Sequence, residues 1–260
     1  MQTARGYTFA RKLMKYALVT GMVLFSCGSF HLLAQTLRVA VPDYPPYTYV
    51  LNKQIAGEGY EAFDKIMSEL GIEYRAEAVP NFGRSLIDLE NNLVDALLLA
   101  TESPERSALA EYSEPLFFTD WAWVWLAERD EIKPYSEQFK QTTTVSAQMN
   151  SNIYRWLAMQ QYQITPGTND IRGLFNLLDH GRVDAIMLPA LTARTLLAEN
   201  DRNKSQYKIH KHVQLPYGIY VSKAYLAKNP GFMASLNRAI DKHHANTTPA
   251  EKSLSTPAKN

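Results

Sequence analysis

Residues 82–100, FGRSLIDLENNLVDALLLA, decide the fold class. Phe82, Leu86, Leu89 and Leu93 recur at helical spacing and predict an amphipathic helix. The spacing then gives way to the nearly unbroken apolar run Val94-Asp95-Ala96-Leu97-Leu98-Leu99-Ala100. Such a run suits a strand covered on both faces, as in a parallel sheet. Helix followed by buried strand is the unit of an α/β protein.

The same unit appears a second time. Leu86, Leu89 and Val94-Asp95-Ala96 return as Phe175, Leu178 and Val183-Asp184-Ala185, each displaced by 89 residues. A period this long is not a solenoid and predicts two lobes of similar build. Around them, Leu37–Val41 reads as a strand ended by Pro42-Asp43-Tyr44-Pro45-Pro46. Tyr60, Phe63, Met67 and Leu70 predict a helix stopped by Gly71. Residues 72–78 alternate, with Glu73, Arg75 and Glu77 on one face, as in a half-exposed strand near a sheet edge. In the second half, Thr143–Ser146 reads as a strand, Ser151-Asn152 as a helix start, Val213–Val221 as a return strand and Asn229-Pro230 as the start of a last helix. Trp121, Trp123 and Trp125 share one face of a strand, which predicts packing beneath a helix.

The 260 residues carry 27 Lys+Arg, 26 Asp+Glu and one cysteine, Cys27, and 46% are hydrophobic. That is core enough for one large or two modest domains, and it excludes disorder. A single cysteine excludes an intramolecular disulfide and any cysteine-cluster metal site. The near-neutral charge argues against nucleic-acid binding. Residues 1–34 hold four basic and no acidic residues, then the apolar run 16–26 and Leu32-Leu33-Ala34. This is the pattern of a cleavable signal peptide cut after Ala34; a cut before Cys27, as in a lipoprotein, is the alternative. Without residues 1–34 the chain has 226 residues, no thiol and a formal charge of −3.

Several segments in order resemble the periplasmic solute-binding proteins of family 3, which serve polar amino-acid ABC transporters. They are Tyr44-Pro45-Pro46-Tyr47, Gly59-Tyr60-Glu61, Val94-Asp95-Ala96, Thr101–Arg106 with Tyr112-Ser113-Glu114-Pro115-Leu116-Phe117, Gln148–Asn152 and Pro216-Tyr217-Gly218-Ile219. The resemblance implies the type II periplasmic binding fold: two Rossmann-like lobes, residues 35–128 plus 213–260 and residues 129–212, joined by a two-strand hinge. It implies a solute trapped on closure, with an ABC permease or a membrane sensor as partner, a periplasmic location, a monomer and no cofactor.

Carried over residue by residue, the resemblance makes Arg106 the clamp for a ligand carboxylate, a task that suits the guanidinium fork. Thr101 would meet the same carboxylate, and Ser151 and Asn152 would offer the start of a helix to an anion. Tyr44 and Tyr47 would wall the pocket. Three positions depart from the family pattern. Pro189 stands where an aspartate for the ligand ammonium is usual, Asn150 where glycine is usual, and Leu99 where a small residue precedes Thr101. A free α-amino acid is therefore expected to bind poorly unless Glu58, Glu102 or another acid substitutes.

The rival reading is a cleft enzyme on the same scaffold, such as a cyclohexadienyl dehydratase-like lyase, with Glu102 as its one candidate acid or base. His210, His212, His243 and His244 lack an acidic companion for a metal site, and no phosphate loop, H-E-x-x-H or G-x-S-x-G is present.

Overall fold

A computed structural model describes residues 36–199 and 202–246. The expected signal peptide, both expected cleavage points and Cys27 lie outside the described residues. One sheet path runs β4-β1-β5-β11-β7-β10-β8-β9, with β6 attached to β11 and a separate β2–β3 hairpin. Its members are β1 Leu37–Pro42, β2 Tyr49–Leu51, β3 Gln54–Ala56, β4 Tyr74–Val79, β5 Ala96–Ala100, β6 Ala110–Tyr112, β7 Phe117–Leu126, β8 Thr144–Ser146, β9 Gln163–Ile164, β10 Ala185–Pro189 and β11 Tyr207–Ser222. The helices are α1 Glu58–Leu70, α2 Phe82–Glu90, α3 Pro104–Leu109, α4 Glu137–Thr142, α5 Asn152–Met159, α6 Gly173–Asp179, α7 Ala190–Glu199, α8 Lys223–Lys228 and α9 Phe232–Asn246.

The topology is two-lobed α/β. At one end β1 lies between β4 and β5, parallel to both; at the other, β8 lies between β9 and β10, again in parallel. The antiparallel ribbon of β7 and β11 joins them. β11 pairs with β5 through Gly218 and Tyr220, and β7 pairs with β10 from Trp121 to Val124. The predicted return strand is therefore longer than its apolar core, because Tyr207–Lys211 pairs with β7 despite its polar composition. The register of the ribbon slips once, between Lys211 and Val213, so His212 is an extra residue facing Ala122 and Trp121 of β7.

The internal repeat has a physical counterpart. The Asp95 carboxylate accepts the Arg38 backbone N–H at 3.0 Å and both Nε and Nη2 of Arg38 at 2.8 Å. The Asp184 carboxylate accepts the Thr144 N–H at 2.8 Å, the Thr144 hydroxyl at 2.6 Å and Arg129 Nη2 at 3.0 Å. Each aspartate thus pins the start of the parallel strand beside its own. The Val-Asp-Ala signature marks where a buried strand must fix its neighbour's register.

The tryptophan stripe of β7 joins a second core beneath α4 and α5, with Val145, Leu157, Ala185 and Met187. Trp123 is fully buried and meets Phe139 edge-on with ring centroids 4.8 Å apart. The larger core takes the opposite face, including Val124, Ile186 and Leu188. The half-exposed strand predicted at 72–78 is β4, at the sheet edge. Helix α2 stops at Glu90, short of Leu93, which is exposed in the turn beyond it.

Candidate functional site

The C-terminal ends of β5 and β10 face one cavity, the position where open α/β sheets bind ligands. It is lined from one side by Tyr44, Phe82, Thr101 and Arg106, and from the other by Ser151, Asn152, Ile153 and Pro189. Thr119 and Trp121 of β7 and Tyr217 of β11 supply the floor. The enclosed space is about 20 Å³, room for about one water molecule.

Arg106 sits in α3, and Pro104, which lacks an N–H, suits the start of that short helix, where an N–H would have no intrahelical acceptor. The side chain is only 2% exposed. Its Nη1 donates to the Thr101 carbonyl at 2.8 Å, its guanidinium lies over the Phe82 ring at 5.2 Å, and its Nε is buried without a hydrogen-bond partner. Burial, and then the nearby Arg155 cation, lower its pKa to about 10, so it remains protonated at neutral pH. Tyr44 and Tyr217 complete its aromatic surround, and burial pushes both phenols well above their ordinary range. Among the described residues no acidic side chain lines the cavity. A cationic cavity of this kind suits an anion.

The opposite side is uncharged. The Ser151 hydroxyl caps α5 by accepting the Tyr154 N–H at 3.1 Å. The Asn152 amide crosses the cleft and donates to the Thr101 carbonyl at 2.9 Å and the Thr101 hydroxyl at 2.6 Å. Two ion pairs cross with it, Arg155 to Glu105 at 2.9 Å and Arg172 to Asp43 at 2.6 Å. A Cβ on Gly83 would stand 2.7 Å from the Asn150 Cβ, so these positions meet only because residue 83 has no side chain. The cleft is closed on itself.

Two of the three departures from the family pattern have a backbone meaning. Asn150 has φ 60° and Leu99 has φ 51°. Asparagine tolerates the left-handed region, so it can stand where glycine is usual. For leucine the conformation is strained, and it lies two residues before Thr101. Gly59 makes room for it, since a Cβ there would meet the Leu99 side chain at 1.9 Å. The third departure, Pro189, ends β10 and lines the cavity without a charge.

Five of the six sequence-derived candidates, Tyr44, Thr101, Arg106, Ser151 and Asn152, line the cavity. Tyr47 does not; it packs behind, with its ring 5.5 Å from Tyr217 and 6.4 Å from Phe117, and burial pushes its phenol up to about 12. Glu102 lies outside the cavity, in a neighbouring groove. Glu58 is also absent from the lining. Sequence reasoning missed Phe82, Thr119, Trp121, Ile153 and Tyr217 as lining residues. Of these only Tyr217 carried a usable signal, as part of the Pro216-Tyr217-Gly218-Ile219 segment.

Residues 37–253 match the sequence model of bacterial extracellular solute-binding proteins, family 3. The chain belongs to that family. Solved structures of the same fold include holo ArgBP from T. maritima, at 21% identity and TM-score 0.66, covering 84% of this chain and 93% of that one. The GluR0 ligand-binding core from Nostoc punctiforme in complex with L-glutamate aligns at 18% identity and TM-score 0.67, covering 81% and 93%. A histidine kinase sensor domain with similarity to periplasmic binding proteins aligns at 16% identity and TM-score 0.71, covering 86% and 98%. No curated protein matches the sequence. Among the described residues no helix of this family member is long and apolar enough to cross a membrane, and no cluster of His, Cys, Asp and Glu could hold a metal ion.

Proposed function

We propose that this family member is a non-catalytic periplasmic receptor that closes on a small carboxylate-bearing solute, amino-acid-like or another organic acid, for ABC-type uptake or for sensing. Its lobes, residues 35–128 plus 213–260 and residues 129–212, would open and shut about the β7–β11 ribbon. It would work as a monomer that presents its closed form to a permease or a membrane sensor.

One observation carries this reading. Arg106 is a buried cation whose Nε has no hydrogen-bond partner, in a cavity without a carboxylate. Leaving such a charge unpaired is costly, and an incoming carboxylate removes the cost. The missing acid at Pro189 disfavours a ligand that buries an ammonium group beside it. The same missing acid weighs against a lyase, because no general acid or base faces the Arg106 cavity; Glu102 is outside it.

Isothermal titration of the mature protein with a panel of carboxylates tests the reading. Arg106→Gln keeps an amide near Thr101 but removes the charge, and is expected to weaken every carboxylate by about 100-fold, roughly 3 kcal/mol. Unchanged affinity in that variant would remove the basis of the proposal.

A further inference from the structure

A second space adjoins the Arg106 cavity. It is a groove of about 430 Å³ lined by Trp121, Trp156, Met159, His212, Val213 and Leu215, with residues 101–105 along its other edge. Thr101, Trp121 and Asn152 line both spaces. The Thr101 carbonyl is their meeting point, since it accepts from Arg106 on one side and from Asn152 on the other. The Asn152–Thr101 bridge lies where the two spaces meet, and the lobe opening proposed above would part its two partners.

The groove wall is aromatic and pre-ordered. Trp156 meets Trp121 edge-on with centroids 6.1 Å apart and His212 at 5.0 Å. His212 is the extra residue of the β11 register slip, and its Nδ1 is buried with no hydrogen-bond partner. Burial, and then the neighbouring His210, lower the pKa of His212, so a neutral ring faces the groove at pH 7. Met159 at the rim is 76% exposed, an apolar side chain left in water. The cavity at Arg106, by contrast, is about 20 Å³ with the cleft closed, too small for the body of a solute.

We infer that the solute is a monocarboxylate with a flat apolar body, which lies against Trp156 and Trp121 in this groove while its carboxylate reaches Arg106. The inference rests on the carboxylate reading above. Aromatic rings suit the wall because stacked and edge-on ring pairs add to simple burial. Arg155, which also lines the groove, is already paired to Glu105 at 2.9 Å, and Glu102 adds a negative charge, so a second carboxylate finds no free cation there.

Titration with propanoate, succinate, phenylacetate and indole-3-acetate tests this. The two aromatic monocarboxylates are expected to bind about ten-fold more tightly than propanoate, and succinate is expected to gain no such advantage. Trp156→Ala is expected to erase most of the aromatic advantage while leaving propanoate unchanged. Arg106→Gln is expected to weaken propanoate and phenylacetate alike. Met159→Glu is a rim substitution that the fold tolerates; it is expected to reduce the aromatic advantage without lowering the melting temperature, and it decides the matter if Trp156→Ala does not fold. Equal affinity for propanoate and phenylacetate, or an aromatic advantage that survives both groove variants, overturns the groove assignment and leaves the carboxylate reading standing. Carboxylate affinities that ignore Arg106→Gln overturn the carboxylate reading, and the groove assignment with it.

Discussion

The two copies of the helix–strand unit are alike up to the end of the strand and different immediately after it. Asp95 and Asp184 perform the same task, each holding the backbone N–H of a parallel neighbour and an arginine. Beyond β5 the chain turns through Thr101 into α3 and buries Arg106; beyond β10 it passes through Pro189 directly into α7. One copy therefore ends in a cation wrapped by aromatic rings, and the other in an uncharged wall to which Asn152 and Ile153 of α5 are added. The repeated part is scaffold. The difference lies in the few residues that follow the strand ends: one end carries the buried Arg106, the other the uncharged Pro189.

Variants can break this contrast in a graded way. The largest effect is expected from Arg106→Gln, which makes the two strand ends alike in lacking a charge and removes carboxylate binding. Pro189→Asp works in the opposite direction by giving the second strand end an acid. The ratio of affinities for glycine over acetate is expected to rise about ten-fold, as a buried carboxylate meets an ammonium. A ratio that stays constant in calorimetry would mean that position 189 does not face the bound solute. A smaller change is expected from Asn152→Ala, which removes the amide that bridges to Thr101. Closure should weaken and affinity fall by about three- to ten-fold, roughly 1 kcal/mol. Small-angle scattering of the unliganded protein should show a larger radius of gyration; an unchanged radius would mean that the bridge does not hold the lobes together.

The smallest effect on the solute belongs to the shared scaffold. The Asp184 carboxylate is held below its ordinary pKa; burial acts to raise it, but the Thr144 hydroxyl and N–H and the Arg129 guanidinium outweigh burial. A depressed folded-state value means that the stabilisation is present above the unfolded value near 4 and is lost as pH falls through the folded one. Asp184→Asn is expected to lower stability by about 1–3 kcal/mol at pH 7 and by progressively less below about pH 4, with solute affinity nearly unchanged. Denaturation curves that differ from the parent by the same amount at pH 3 and pH 7 would contradict that account.

Much of this was legible in residue order because it depends on neighbours along the chain. The helical spacing of Phe82, Leu86 and Leu89, the apolar run into Ala100 and the stop at Gly71 are local patterns with local causes, and they set the α/β class and the repeat. Arg106 and Asn152 were legible from motif order, although nothing local distinguishes a buried arginine from a surface one in a short helix carrying Glu105. The tryptophans show the limit. All three share a strand face and pack in the core beneath the helices, as expected, yet Trp121 at the same periodicity also lines the cavity. The difference depends on where α5 ends and the cleft begins, which no period of two can encode. Tyr47 shows the converse. Its likeness to Tyr44 across the two prolines placed both at the pocket, but the turn sends one ring towards Arg106 and the other behind Tyr217.

By itself, then, the sequence determined the alternation of helix and strand, the paired aspartates and the presence of one arginine suited to an anion. Only the tertiary structure decided that this arginine is buried without a carboxylate, that Pro189 stands opposite, and that an aromatic groove opens beside it. The reason is physical. Secondary structure follows from contacts a few residues apart, whereas the electrostatics of the cleft arise from side chains more than 100 residues apart, Arg106 and Tyr217 among them, brought together by the β7–β11 ribbon.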